Sequence, residues 1–132
     1  MRNIYNLCAA LILALCPLAG ASAQQATEMS IEFNKTVHDF GYIDVNSGPR
    51  SYAFYFKNIS KQTVIIQTVI SSCGCTNPEW TKEPIKPGEN GKIDVTFLND
   101  QGAYPFDKSL TVYVTGSSRP IVLRIKGIVT QK

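Results

Sequence analysis

The sequence predicts an all-β domain, an immunoglobulin-like sandwich of about seven antiparallel strands. Three observations carry that expectation. Apolar residues recur with period two, turn signals interrupt the chain every dozen residues or so, and no segment after the leader shows a helical apolar period. Short alternating strands separated by regular turns in roughly 100 residues are the signature of two packed antiparallel sheets.

The first 23 residues read as a secretory signal peptide that precedes the domain. Arg2 supplies a positive start, an apolar stretch runs from Leu7 to Leu18, and Ala21-Ser22-Ala23 forms a small-residue cleavage site before Gln24. That stretch is shorter than the about 20 residues a bilayer span needs. Lipidation at Cys16 is the rival reading, but Leu15 stands where an acylation site usually has a small residue. Cleavage leaves 109 of the 132 residues and lowers the net charge from +3 to +2 by removing Arg2. Residues 24–30 form a short polar start, and 31–132 form one domain. Its lysines and arginines are scattered singly, which argues against a nucleic-acid partner, and no second apolar segment suggests a membrane span. The expected place is the periplasm or the medium.

The strands follow in order. Ile31-Glu32-Phe33 opens the domain and residues 38–43 make a second short strand. After the turn at Asn46-Ser47-Gly48-Pro49, Tyr52, Phe54 and Phe56 share one face. Val64 and Ile66 share a face too, but Val69 falls one place out of phase, so a β-bulge is expected near Gln67-Thr68. Trp80 lies in a proline-flanked loop, and residues 86–91 combine Pro-Gly with Asn-Gly as a strong turn. Ile93, Val95 and Phe97 then alternate with polar neighbours, residues 99–107 read as a polar loop, and Leu110, Val112 and Val114 resume the alternation. Ile121, Leu123 and Ile125 form the last strand after Gly116-Ser117-Ser118. Phe54, Phe56, Ile66, Val95, Phe97, Val112 and Leu123 are the expected core. The Cys…Trp…Cys arrangement of antibody domains is missing.

Several stretches together carry a family resemblance: His38-Asp39-Phe40-Gly41, Phe54-Tyr55-Phe56-Lys57-Asn58, Ser72-Cys73-Gly74-Cys75-Thr76 with Pro78, Pro84-Ile85-Lys86-Pro87-Gly88-Glu89, Val95-Thr96-Phe97, Pro120-Ile121-Val122-Leu123 and Lys126-Gly127. In this order they resemble the bacterial family called domain of unknown function 1573, and more distantly the Ig-like domains of Hydin and major sperm protein. The resemblance implies an exported β-sandwich with no assigned activity.

With the leader gone, Cys73 and Cys75 are the only thiols, in a compartment that permits disulfides. Three readings stand. The pair packs as two small buried hydrophobes, forms a disulfide, or binds a soft metal, for which copper suits two thiolates. A disulfide needs Cα atoms roughly 4.4–6.8 Å apart, so it requires a turn at Gly74. Its chain-entropy contribution is small, about 1.6 kcal/mol for a three-residue loop against about 3 for fifteen, which suits exchange better than stapling. A closed zinc site wants four ligands, and beyond the sulfurs the available donors are carboxylates and His38, the one histidine. His38 with Asp39 reads first as a structural pair, with Phe40 filling core and Gly41 allowing a bend. Tyr55 and Tyr113 are outward aromatics and, with Trp80, are the binding candidates.

No G-x-S-x-G, H-E-x-x-H or phosphate-cradling glycine loop occurs after the leader. The expectation is therefore a non-enzymatic accessory domain of the cell envelope that binds another envelope protein and needs no cofactor. The alternative is a redox-active or copper-handling domain using Cys73 and Cys75. One outcome follows from the leader. N-terminal sequencing or intact mass after export is expected to show a chain beginning at Gln24 without lipid, and a diacylglyceryl adduct on Cys16 would overturn both the cleavage site and the location.

Overall fold

The structure, a computed structural model, describes residues 28–131. The expected leader, residues 1–23 with Cys8 and Cys16, lies outside the described residues. Eight strands follow one another: β1 (Ile31–Phe33), β2 (Val37–Asp44), β3 (Arg50–Asn58), β4 (Ile66–Ser71), β5 (Thr76–Trp80), β6 (Asn90–Phe97), β7 (Pro105–Val114) and β8 (Ile121–Thr130). They form two four-stranded sheets, sheet A in the order β1-β3-β6-β5 and sheet B in the order β2-β8-β7-β4. Only the β5–β6 and β7–β8 connections stay within a sheet; every other connection crosses between the two. The result is the sandwich that the alternation predicts, with no helix among the described residues.

Period two explains which side chains meet. Successive side chains of a strand point to opposite faces, so Phe54 and Phe56 on β3, Ile93, Val95 and Phe97 on β6, Leu110, Val112 and Val114 on β7, and Ile121, Leu123 and Ile125 on β8 all enter one core. All seven residues expected in the core are buried, none more than 3% exposed. Where the apolar phase slips, the backbone accommodates it. Ile66 faces Val114 while Thr68 faces Tyr113, which leaves Gln67 as the extra residue of a bulge and returns Val69 to the core. A second bulge sits in β2 between Asp39 and Tyr42. There Gly41 adopts φ +68°, and its amide donates to Asp39 Oδ1 at 2.8 Å. A Cβ at Gly127, on the neighbouring β8, would come within 2.9 Å of the Gly41 carbonyl oxygen and of the Phe106 ring, so the two backbones approach as only glycine allows.

Three details differ from the local pattern. Residues 99–107 are not all loop: β7 begins at Pro105, and Phe106 is buried, its ring stacked on Phe97 with centroids 3.9 Å apart. Asp107 and Lys108 hide that inward phase in the sequence. Trp80 ends a strand, β5, rather than lying in a loop. Pro78 is tolerated there because β5 is an edge strand with one unpaired side. One pair, β2 with β8, is parallel, His38 lying opposite Ile125. Strand direction across 87 residues of sequence is a property of the crossing connections and leaves no local mark.

Asn58, buried at the end of β3, ties two loops together. Its side-chain amide donates to the Gln62 and Ile85 carbonyls at 2.7 and 2.8 Å, and its Oδ1 accepts from the Ser60 amide and hydroxyl. Every polar atom of that buried side chain is satisfied.

These faces set an energetic expectation. Phe54→Ala or Phe97→Ala should cost about 3–5 kcal/mol, a large part of a small domain's stability, whereas Lys57→Ala on the opposite face should stay within about 0.5 kcal/mol. Urea denaturation of the three variants measures this, and equal costs would show the faces to be misassigned.

Candidate functional site

The Cys73-Gly74-Cys75 triplet lies in the four-residue crossing from β4 of sheet B to β5 of sheet A. Pairing with β7 continues one residue past the end of β4: the Ser72 amide donates to the Ser109 carbonyl at 2.9 Å, and Ser72 Oγ accepts from the Ser109 amide at 3.1 Å. The chain then reverses. The Thr76 amide donates to the Cys73 carbonyl at 3.2 Å, closing a turn around Gly74, and the Leu98 amide holds the Cys75 carbonyl from β6's end. Ser71 Oγ caps the bend, accepting from the Cys73 amide and donating to the Cys73 carbonyl. This turn brings the two Cα atoms to 5.2 Å and the sulfurs to disulfide distance, within the range a bridge requires.

The two sulfurs are not equivalent. Cys75 is buried in the core, 8% exposed, while Cys73 is half-buried against its edge. The Cys75 amide points at Cys73 Sγ at 3.1 Å, and the Thr76 hydroxyl lies 3.8 Å from Cys75 Sγ. Gly74 is exposed, and a Cβ added there would meet nothing within 4 Å.

His38 does not join the sulfurs. It stands on β2 and the triplet follows β4, the two opposite edges of sheet B, three strand spacings or roughly 14 Å apart. Among the described residues no three His, Cys, Asp or Glu side chains gather as a metal site, so a copper reading rests on the two sulfurs alone. His38 instead links the sheets. Its ring stacks on Tyr52 of β3 at 3.6 Å, and Phe40 meets it edge-on at 4.6 Å. Burial of its ring and the nearby Lys35 ammonium lower the His38 pKa, with Asp39 opposing. Its Nδ1 is buried without a hydrogen-bond partner.

The aromatic candidates are dispersed. Tyr55 points outward from sheet A and Tyr113 outward from sheet B, so they lie on opposite surfaces and form no common platform. Trp80 packs against the core edge beneath Lys82, whose Nζ lies 3.2 Å from the ring centroid. An open groove near the sandwich's other end, lined by Met29, Ile59 and Thr115 among others, has Glu28 and Lys61 as its charged groups. What the tyrosines alone do not reveal is an apolar outer face on sheet B. Val37, Tyr42, Ile70, Tyr113, Val122 and Ile128 are all exposed there, and Ile65 leads into it. Ile70 lies opposite Thr111, and Thr111 opposite Val122, a row across three strands. The signal in the sequence is the apolar residue at outward positions of β4 and β8, which becomes readable only once the bulge sets the phase of β4. Sheet A's outer face carries Lys92 and Asp94, paired at 2.9 Å, with Glu79 and Thr96 nearby.

The family described as Protein of unknown function (DUF1573) matches residues 31–129. No curated protein matches the chain. Among solved structures, a protein of unknown function from Porphyromonas gingivalis is similar, with TM-score 0.66 and 12% identity over 81% of this chain and 51% of that one. The Vibrio cholerae VesB protease is similar with TM-score 0.57 and 18% identity over 76% of this chain and 32% of that one. WR4, a C. elegans MSP family member, is similar with TM-score 0.54 and 9% identity over 78% of this chain and 100% of that one. The chain thus spans about half of the Porphyromonas protein and a third of the protease. At these identities the likeness shows the fold alone.

The His38 stack generates a pH dependence. Because the folded state lowers this pKa below 6.5, the unfolded chain binds more protons in the window beneath that value. Stability should be full above about pH 6.5, fall as pH drops through that value, and level off below the folded pKa. His38→Phe retains a stacking ring and removes the proton, so its stability should lack this component. Denaturation of both proteins between about pH 7.5 and 5 tests it, and parallel curves would refute it.

Proposed function

This chain belongs to the DUF1573 family, and we propose that it is an exported, non-enzymatic accessory domain of the bacterial cell envelope that binds another envelope protein through the outer face of sheet B. The observation that carries the reading is the uneven placement of exposed apolar side chains. Of nine large hydrophobics exposed among the described residues, six lie on strands of sheet B, while Tyr55 alone lies on a strand of sheet A. Contiguous exposed apolar surface on one face is characteristic of interaction sites.

The face has a defined pattern. Ile70, Thr111 and Val122 form an apolar row at one end, with Tyr113 beside it. Ile128 and Tyr42 lie opposite each other at the other end. Between them Asp107 holds Arg124 through two hydrogen bonds, at 2.6 and 3.0 Å, and Lys126 pairs across from Asp39. Such a surface suits a partner with two apolar contacts flanking a band of mixed charge. The filled core supports the non-enzymatic part of the reading, since a small sandwich packed throughout offers few concave sites where catalytic groups converge.

Placing charges on the apolar row of this face tests the proposal. Ile70→Lys with Val122→Lys should leave the thermal midpoint unchanged and lower recovery of a partner, cross-linked in the native envelope at a fixed ratio to the domain, by about tenfold, the equivalent of 1.4 kcal/mol. Tyr55→Lys on the other face should leave recovery intact. Equal recovery with both variants would refute the assignment. So would pure protein that self-associates and loses that association with the double substitution, which would make the face a contact between copies.

A further inference from the structure

The geometry points to Cys73 and Cys75 as a thiol–disulfide exchange site in which Cys73 is the sulfur joined to the partner and Cys75 the sulfur released. The substrate class is a pair of cysteine thiols on another exported polypeptide. The inference leaves the sheet B interface standing but goes beyond the non-enzymatic reading, because it rests on the crossing between β4 and β5 and on the unequal surroundings of two sulfurs.

Access selects the point of attack. The loop turns outward at Gly74, where even an added Cβ would meet open space. Cys73 borders this exposed turn, whereas Cys75 is buried among core residues. A thiolate approaching along the bond axis therefore reaches Cys73 Sγ. In the first step the incoming sulfur bonds to Cys73 Sγ, the Cys73–Cys75 bond breaks, and its electron pair leaves on Cys75 Sγ, which takes up a proton. The Thr76 hydroxyl, 3.8 Å from Cys75 Sγ, adjoins the departing charge. In the second step the partner's other thiolate attacks the partner sulfur of the mixed disulfide, and the electron pair leaves on Cys73 Sγ. The Cys75 amide, already 3.1 Å from that sulfur, donates to the charge that forms. Two electrons pass from the dithiol to the pair, the partner ends as a disulfide, and Cys73 and Cys75 end as thiols.

The surrounding loop supports repeated opening. Its backbone is held by groups other than the sulfurs: Ser71 Oγ at the Cys73 amide and carbonyl, the Thr76 amide at the Cys73 carbonyl and the Leu98 amide at the Cys75 carbonyl. A bridge closing three residues adds little to chain-entropy stabilisation, so the fold is expected to survive its reduction.

Two measurements on the full exported domain test the assignment. Oxidised wild-type protein is incubated with reduced glutathione or with a peptide carrying two cysteines, quenched in acid and mapped by mass spectrometry. Glutathione is expected on Cys73 at least tenfold more than on Cys75, and the two-cysteine peptide is expected to emerge oxidised with both domain thiols free. Given the same peptide in its disulfide form, Cys75→Ser should form an adduct at Cys73, whose thiolate opens the peptide's bond and releases its other sulfur, while Cys73→Ser should react with Ellman's reagent at least tenfold more slowly than Cys75→Ser. Two free thiols in protein taken from its oxidising compartment would overturn the proposal. So would adducts shared equally between the sulfurs, or a bridge that these thiols open only when the domain unfolds. Reaction with glutathione but not with the peptide would overturn the polypeptide substrate class.

Discussion

The contact on which the sandwich depends is the stack of Phe97 on Phe106, centroids 3.9 Å apart. Phe97 ends β6 in sheet A and Phe106 is the second residue of β7 in sheet B, so one aromatic pair joins the sheets across the crossing between them. From it a line of rings follows the seam. Phe106 meets Phe40, Phe40 meets His38, His38 stacks on Tyr52, and Tyr52 meets Phe54. Large rings bury much apolar area and constrain each other's orientation, which fixes how sheet A sits on sheet B. The His-Asp-Phe-Gly segment is best understood within this line. His38 and Phe40 are two of its rings, two residues apart on one face of β2, while Asp39 and Gly41 shape the bulge that turns Ile43 rather than Tyr42 into the core.

That seam also governs what the outer surfaces are free to do. With inward positions committed to the core, each strand's alternate residues are released to solvent, and the sheets use them differently. Sheet A spends them on polar and charged groups; sheet B leaves Ile70, Val122, Tyr113 and Ile128 uncovered. The polar set needs no further burial to be stable in water. The apolar set leaves hydrophobic area that only a second surface would remove.

The cysteine corner is a third consequence of the crossings. A strand passing from one sheet to the other must turn within a few residues, and at residues 72–75 that turn sets two sulfurs side by side with one against the core and one toward solvent. A continuous strand would hold their Cα atoms at or beyond bridging range. Fold and candidate chemistry thus meet at one corner, away from the apolar row but continuous with it through Ile70, Ser71 and Ser72 of the same chain segment.

Much of this was legible in the sequence because it is local. Period two places Phe54, Val95 or Leu123 inward wherever the strand lies, and the slip between Ile66 and Val69 announces a bulge, since one extra residue reverses every later side chain. The pairing range of Cys73 and Cys75 likewise follows from a turn at one glycine. Tertiary structure decided what depends on pairing across the chain. The parallel match of β2 with β8, the strand at Thr76–Trp80 and the start of β7 at Pro105 arise from neighbours distant in sequence. The same holds for the separation of His38 from the sulfurs and of Tyr55 from Tyr113: alternation says that a side chain points out, but only the order of strands within each sheet says which surface it reaches and what stands beside it.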